Sequence, residues 1–85
     1  MAALYTNPSA LGKAIAQKKR EIYDRHGGVL SPTDLSRELG FGDKRDAERW
    51  AREHDVPPIQ MGPRKRGYEA DLLARAMVQA RGMCG

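Results

Sequence analysis

Residues 30–54 read LSPTDLSRELGFGDKRDAERWAREH, and this segment carries the strongest helix signals of the chain. Ser31 stands directly before a proline, which is the arrangement of a capping residue followed by the first residue of a helix. Gly40 suits the left-handed conformation that ends a helix, and a second helix signal begins at Asp43. Two short helices joined by a glycine-containing turn predict a helix-turn-helix over residues 31–54.

The second of these helices has two different faces. Ala47, Trp50 and Ala51 share one side and predict contact with the core. The opposite side carries four cations and one carboxylate, which are Lys44, Arg45, Glu48, Arg49 and Arg52. Long donors suit phosphates and guanine edges, and an acid accepts from cytosine, so this stripe is typical of a recognition helix in the major groove. The alternative is a solvated face on which Glu48 pairs with the cations four residues away on either side.

A short β-hairpin is predicted after the helix-turn-helix, over residues 58–68. The proline pair at residues 57–58, where this segment begins, blocks further helix, and apolar and polar residues then alternate from Ile59. In this position a hairpin is a wing, and its basic tip would grip phosphates beside a minor groove through Arg64, Lys65 and Arg66. The alternative is a basic turn that only keeps the chain in solution.

Helices are also predicted at both ends of the chain. Residues 8–26 follow a capping Asn7 and carry an apolar stripe of Leu11, Ile15 and Ile22. Residues 69–81 carry a second stripe, from Leu72 to Ala80. We expect residues 1–85 to form a single, mainly α-helical domain, because a chain of this length builds one small core. Within this domain we expect a winged helix-turn-helix with a two-stranded hairpin wing and an extra N-terminal helix.

The charge balance favours a nucleic-acid partner. Fifteen Lys and Arg against eleven Asp and Glu give a net charge of +4, and ten of the fifteen cations are arginine. Arginine's planar fork matches phosphates and guanine edges better than lysine does. The densest positive run lies in residues 62–67, at the predicted hairpin tip.

Catalysis, metal binding and cofactor binding find no support in the sequence. His26 and His54 end predicted helices and have no zinc-ligand spacing, and Cys84 is the only cysteine. No glycine-rich phosphate-loop motif occurs, so we expect neither an enzyme nor a cofactor. No apolar run approaches the roughly 20 residues that span a bilayer, and the first residues lack the pattern of a signal peptide. We therefore expect a cytoplasmic protein with no membrane partner.

Taken together, these motifs resemble the excisionase-type winged-helix domains, which are related to the DNA-binding domains of mercury-resistance-regulator (MerR) type transcription factors. The resemblance covers residues 30–77, and its order is the capped helix pair with Arg49-Trp50, then Val56-Pro57-Pro58-Ile59, the run Gly62 to Arg66, and Tyr68 to Leu73. It implies that the cationic stripe of the second helix reads the major groove and that the basic hairpin tip contacts the backbone or minor groove.

The resemblance implies an excisionase-like recombination directionality factor of a mobile element or prophage. Such a factor binds specific double-stranded DNA, in several copies or with an integrase or recombinase. A small MerR-type transcriptional regulator is the alternative, and a protein-binding adaptor that uses the apolar helix stripes is the second. Excision control is favoured because no effector-binding domain is attached. Two departures from the family are the extra helix in residues 8–26 and the Lys-Arg-Asp run after Asp43, where small hydroxyl residues often stand.

Overall fold

The computed structural model describes residues 8–84 of the chain, with the side chains of residues 10–81. This part contains four helices, α1 (Pro8–His26), α2 (Pro32–Leu39), α3 (Lys44–Glu53) and α4 (Ala70–Cys84). It also contains three short strands, β1 (Val29–Leu30), β2 (Ile59–Gly62) and β3 (Lys65–Glu69), which form one antiparallel sheet in the order β1-β3-β2. The expected mainly helical fold with a small hairpin is confirmed at this level.

The helix pair α2 and α3 has the predicted capping residues. The Ser31 hydroxyl accepts a hydrogen bond from the Asp34 backbone N–H at 3.1 Å, and Asp43 accepts from the backbone N–H of Arg45 at 2.9 Å. Gly40 ends α2 with φ at 80°, in the left-handed region. These caps satisfy backbone groups that a helix end otherwise leaves without partners, and they fix the short turn between the two helices.

The hairpin spans residues 59–69, so it begins and ends one residue later than predicted. Strands β2 and β3 pair with Ile59 opposite Gly67 and Gln60 opposite Arg66, and the register is irregular before Gly62. The third strand, β1, was not predicted, because two residues carry no readable alternation. It places Val29 opposite Glu69, so Glu69 belongs to β3 and α4 starts one residue later than predicted.

The terminal helices close the core. Helix α1 packs along α4, and α2 packs against α3, so Ile22, Leu35 and Leu73 are fully buried. Helix α1 has its predicted bounds, although the predicted cap at Asn7 lies outside the described residues. The predicted end of α4 at residue 81 is wrong, since the helix continues to Cys84. Gly82 weakens a helix without blocking it.

A buried carboxylate attaches α1 to α2. Glu38 of α2 has a side chain only 4% exposed, and its oxygens lie 3.2 Å from Lys18 Nζ, 2.6 Å from Arg25 Nη2 and 3.1 Å from His26 Nε2. Burial by itself would raise the pKa of Glu38, but the hydrogen bonds and charges of Arg25 and Lys18 outweigh it and lower the pKa to about 2. We call Glu38 and its three partners the Glu38 cluster.

Candidate nucleic-acid interface

The cations of helix α3 lie on two parts of its surface, the outer side of the helix and the flank that faces the hairpin. Ala47 and Ala51 are fully buried and fix which side faces the core. At 3.6 residues per turn, Arg45, Arg49 and Arg52 then point away from the core, and all three are exposed. Lys44 and Glu48, one turn apart, lie on the flank of α3 that faces the hairpin. The five predicted recognition residues therefore share one side of the helix but do not have the same surroundings.

Lysine and arginine side chains from two elements meet in one cleft. The cleft has a volume of about 630 Å³ and lies between the hairpin and the N-terminal ends of α2 and α3. Its charged lining residues are Lys44 and Glu48 from α3 with Arg64, Lys65 and Arg66 from the hairpin. We call this the cationic cleft. Residues about twenty positions apart in the sequence thus form a single positive surface.

Three of these cations have no carboxylate partner in the described part of the chain. Lys44, Arg64 and Lys65 are exposed, and none of them forms an ion pair with a carboxylate in residues 10–81. Each of these side chains has several N–H donors and no hydrogen-bond acceptor, so the ligand that suits them is an anion with oxygen acceptors. A phosphate group meets that requirement.

The floor of the cationic cleft is apolar, a feature that was not predicted from the sequence. Val29 of β1 and Met61 of β2 are 36% and 52% exposed, and they approach each other across Gly67 of β3. A Cβ atom at Gly67 would overlap the Val29 side chain and lie 3.2 Å from Met61 Cγ. A glycine inside a strand is the signal that could have indicated this close approach.

Glu48 is the carboxylate among the five predicted recognition residues of α3, and its side chain is hydrogen-bonded to two other residues of the protein. Its side chain is 14% exposed, Oε1 accepts from Arg66 Nε at 2.8 Å, and Oε2 accepts from Arg66 Nη2 at 3.2 Å. The hydroxyl of Tyr68 donates to Oε1 at 3.0 Å. We call Glu48, Arg66 and Tyr68 the Glu48 cluster. It links α3 to β3, in place of the pairs along α3 that were the alternative interpretation.

The Glu48 cluster changes the ionisation of its members. Burial raises the pKa of Tyr68 to about 12, and the hydrogen bond and charge of Glu48 act in the same direction. The hydrogen bond and charge of Glu48 also raise the pKa of Arg66. Tyr68 therefore remains a protonated donor to Glu48 at neutral pH.

The three arginines of α3 that were predicted as recognition residues lie outside the cationic cleft. Arg52 lines a smaller cavity of about 130 Å³ together with Glu48, Arg66 and Tyr68. Arg49 pairs with Asp46 on its own helix. Neither Arg45 nor Arg49 lines either of these two cavities, so both belong to the outer surface of α3.

Within residues 8–84, no helix is both long enough and apolar enough to cross a membrane. The same part of the chain contains no group of three or more His, Cys, Asp or Glu side chains positioned to hold a metal ion.

No protein-family model, curated protein or solved structure matches this chain.

Proposed function

We propose that this chain binds double-stranded DNA as a winged helix-turn-helix. Helix α3 enters the major groove with Arg45, Arg49 and Arg52, and the hairpin rests on the adjacent backbone. The observation that carries this proposal is the convergence of Lys44, Arg64 and Lys65 on the cationic cleft beside α3. Side chains from two separate elements can then hold the same stretch of phosphates.

The exposure and position of the cations assign base contacts to one group and phosphate contacts to another. The arginines on the outer side of α3 are exposed and can reach base edges, where a bidentate pair with guanine gives sequence preference. The cations of the cleft flank that helix and are suited to phosphate oxygens, which fix register without reading sequence. The apolar floor at Val29 and Met61 offers a surface for the apolar faces of deoxyribose.

We further propose that the DNA is a recombination site and that the chain acts as an excisionase-like directionality factor. This step rests on the resemblance of residues 30–77 to excisionases, with an integrase or further copies of the chain as partners on the DNA. The adaptor alternative has less support, because the apolar stripes that it would use include Ile22, Leu73 and Ala76, which are buried between α1 and α4.

The proposal is tested by measuring the affinity for a random duplex as a function of salt. Binding through several phosphates weakens steeply, with a log–log slope of about −0.9 for each phosphate neutralised. Arg64→Ala is expected to weaken binding to any duplex and to reduce the magnitude of this slope by about 1. Arg75→Ala is the matched control, because Arg75 is an exposed arginine of α4 that does not line the cleft. Binding that does not respond to salt, or equal losses in both variants, would contradict the proposal.

A further inference from the structure

The hairpin arginines Arg64 and Arg66 have the same predicted role and different surroundings. Arg64 lies in the turn between β2 and β3, where it has no carboxylate partner among residues 10–81. Two nitrogens of Arg66 are engaged by the two oxygens of Glu48. A cation that is already paired is available to a DNA phosphate only if its first partner releases it.

Glu48 is itself anchored, so the pair is not a chance contact between two mobile side chains. Its side chain is 14% exposed, and Tyr68, whose hydroxyl donates to it, is 2% exposed and part of the core. Glu48 cannot turn toward solvent without losing this hydrogen bond. A bidentate arginine–carboxylate pair with one partner held in place has the geometry in which such pairs are strongest.

We propose that Glu48 competes with DNA phosphates for Arg66, so that Arg66 makes no contact with the phosphates of an arbitrary duplex while the pair is intact. The inference rests on the proposed DNA-binding function and deepens it. Glu48 becomes a positioning residue, because it holds the hairpin against α3 and does not read a base. It also lowers the sequence-independent part of the affinity, since the cleft then presents three available cations instead of four.

The charge of Glu48 has a second effect of the same sign. Its carboxylate lines both the cationic cleft and the smaller cavity that contains Arg52. A phosphate that enters either cavity therefore meets a negative charge as well as the cations. Sequence-independent binding rests mainly on phosphate contacts, whereas sequence-specific binding also uses contacts with base edges. A carboxylate that opposes phosphates therefore weakens the first kind of binding more than the second and favours selectivity.

A double-mutant cycle on a random duplex tests the inference. In the wild-type chain, Arg66→Ala is expected to weaken binding less than Arg64→Ala does and to leave the salt slope unchanged, because it removes no phosphate contact and only leaves the Glu48 carboxylate unpaired beside the cleft. Arg64→Ala is expected to reduce the magnitude of the salt slope by about 1. In a Glu48→Gln background, Arg66 is released, and Arg66→Ala is expected to reduce the magnitude of the slope by about 1 as well. Arg64→Ala is the matched control, because its cost should be the same in both backgrounds. Glu48→Gln alone is expected to bind the duplex more tightly than the wild type.

A readout without DNA shows whether the pair exists in the free protein. The NMR signal of the Arg66 Nε–H group is expected to shift when Glu48 is replaced by Gln, and the signal of Arg64 is expected to stay in place. If Glu48→Gln does not fold, the wild-type comparison of Arg66→Ala with Arg64→Ala still decides the matter.

Two results would overturn the inference. One is that Arg66→Ala weakens binding as much as Arg64→Ala in the wild-type chain, because Arg66 then contacts DNA despite Glu48. The other is that Arg66→Ala has no effect in the Glu48→Gln background. Failure of the DNA-binding proposal is recognised separately, as wild-type binding that is absent or insensitive to salt.

Discussion

Two glutamates of this chain collect positive side chains around them, in two regions with different tasks. The Glu38 cluster joins α1 to α2, its carboxylate is 4% exposed, and three side chains of α1 surround it. The Glu48 cluster joins α3 to β3, its carboxylate is 14% exposed, and Arg66 and Tyr68 are its partners. The first lies between two helices away from the cationic cleft, and the second lines that cleft.

The comparison shows that net charge along the sequence is a poor guide to available charge. Lys18 and Arg25 contribute to the basic appearance of the N-terminal helix, yet Glu38 engages both of them. At the cleft, a single carboxylate faces four cations and neutralises one of them. Three cations without a carboxylate partner among residues 10–81 nevertheless converge where the hairpin meets α3, and a group of cations in one place attracts a polyanion.

The largest expected effect is the loss of stability in Glu38→Ala. This change leaves Lys18, whose side chain is 15% exposed, and His26, 12% exposed, without their common acceptor. Breaking a largely buried ion pair in this way typically costs about 3 kcal/mol, measured as the free energy of unfolding in urea. Glu21→Ala is the control, since Glu21 is 45% exposed and its oxygen lies 3.9 Å from the same lysine. If both variants lose equal stability, the Glu38 cluster is not what holds α1 to α2.

The next effect is a fall in stability at acidic pH that depends on Glu38. Its pKa is lowered from 4.5 to about 2 in the folded protein, so the unfolded chain binds the proton more readily between these values. The stabilisation is complete above pH 4.5 and is lost as pH falls through about 2. This lowering of the Glu38 pKa corresponds to at most about 3 kcal/mol of stabilisation of the folded protein. Screening at the solvent-exposed side of the cluster reduces that contribution to about 1 to 2 kcal/mol.

Glu38→Gln isolates this contribution, because it keeps the shape of the side chain and removes the titrating group. Unfolding free energies are measured from pH 6 down to pH 3 for this variant and for the wild type. The two curves are expected to approach each other as the pH falls. If they stay parallel, Glu38 does not carry the acid sensitivity.

The two clusters also separate what the sequence predicts from what it does not. The capping residues Ser31 and Asp43 and the left-handed Gly40 are local signals, and they predicted α2 and α3 correctly. The hairpin was predicted from the prolines before it and the alternation after them. Strand β1 was missed because two residues form a strand only through their pairing with β3.

Of the candidate site, the sequence indicated the residue types but not their partners. Lys44 and Arg64 are twenty positions apart, and only the fold brings them into one cleft. The sequence could not show that Glu48 binds Arg66, because that contact depends on the seating of the hairpin on α3. Pairing along a helix can be read at a spacing of four, whereas pairing between elements cannot.

A smaller effect is expected for Tyr68→Phe, which sharpens the comparison at the Glu48 cluster. The change removes one buried hydroxyl donor and leaves Glu48 with Arg66 alone. We expect a loss of about 1 kcal/mol in the free energy of unfolding, because a single hydrogen bond is removed and the ring remains packed. Tyr23→Phe is the matched control, since its hydroxyl donates to Asp71 at an exposed site. A cost for Tyr68→Phe no larger than that of the control would mean that Glu48 is not anchored from the core.

The smallest effect on stability is expected for Arg66→Ala. Arg66 is 59% exposed, and Glu48 keeps its bond from Tyr68 when the arginine is removed. Exposed ion pairs contribute little to stability, so the melting temperature is expected to fall by no more than about 3 °C. A fall as large as that of Glu38→Ala would remove the distinction between the two clusters.

The binding of DNA by α3 and the hairpin is tested most directly by an NMR titration of the labelled protein with a short random duplex at low and at moderate salt. If the cationic cleft binds DNA, we expect shifts that weaken as salt rises and that map to residues 44–52 of α3 and 62–67 of the hairpin. The signals of α1 around the Glu38 cluster are expected to stay in place. Shifts confined to α1 and α4, or no shifts at low salt, would contradict the assignment of the cationic cleft to DNA.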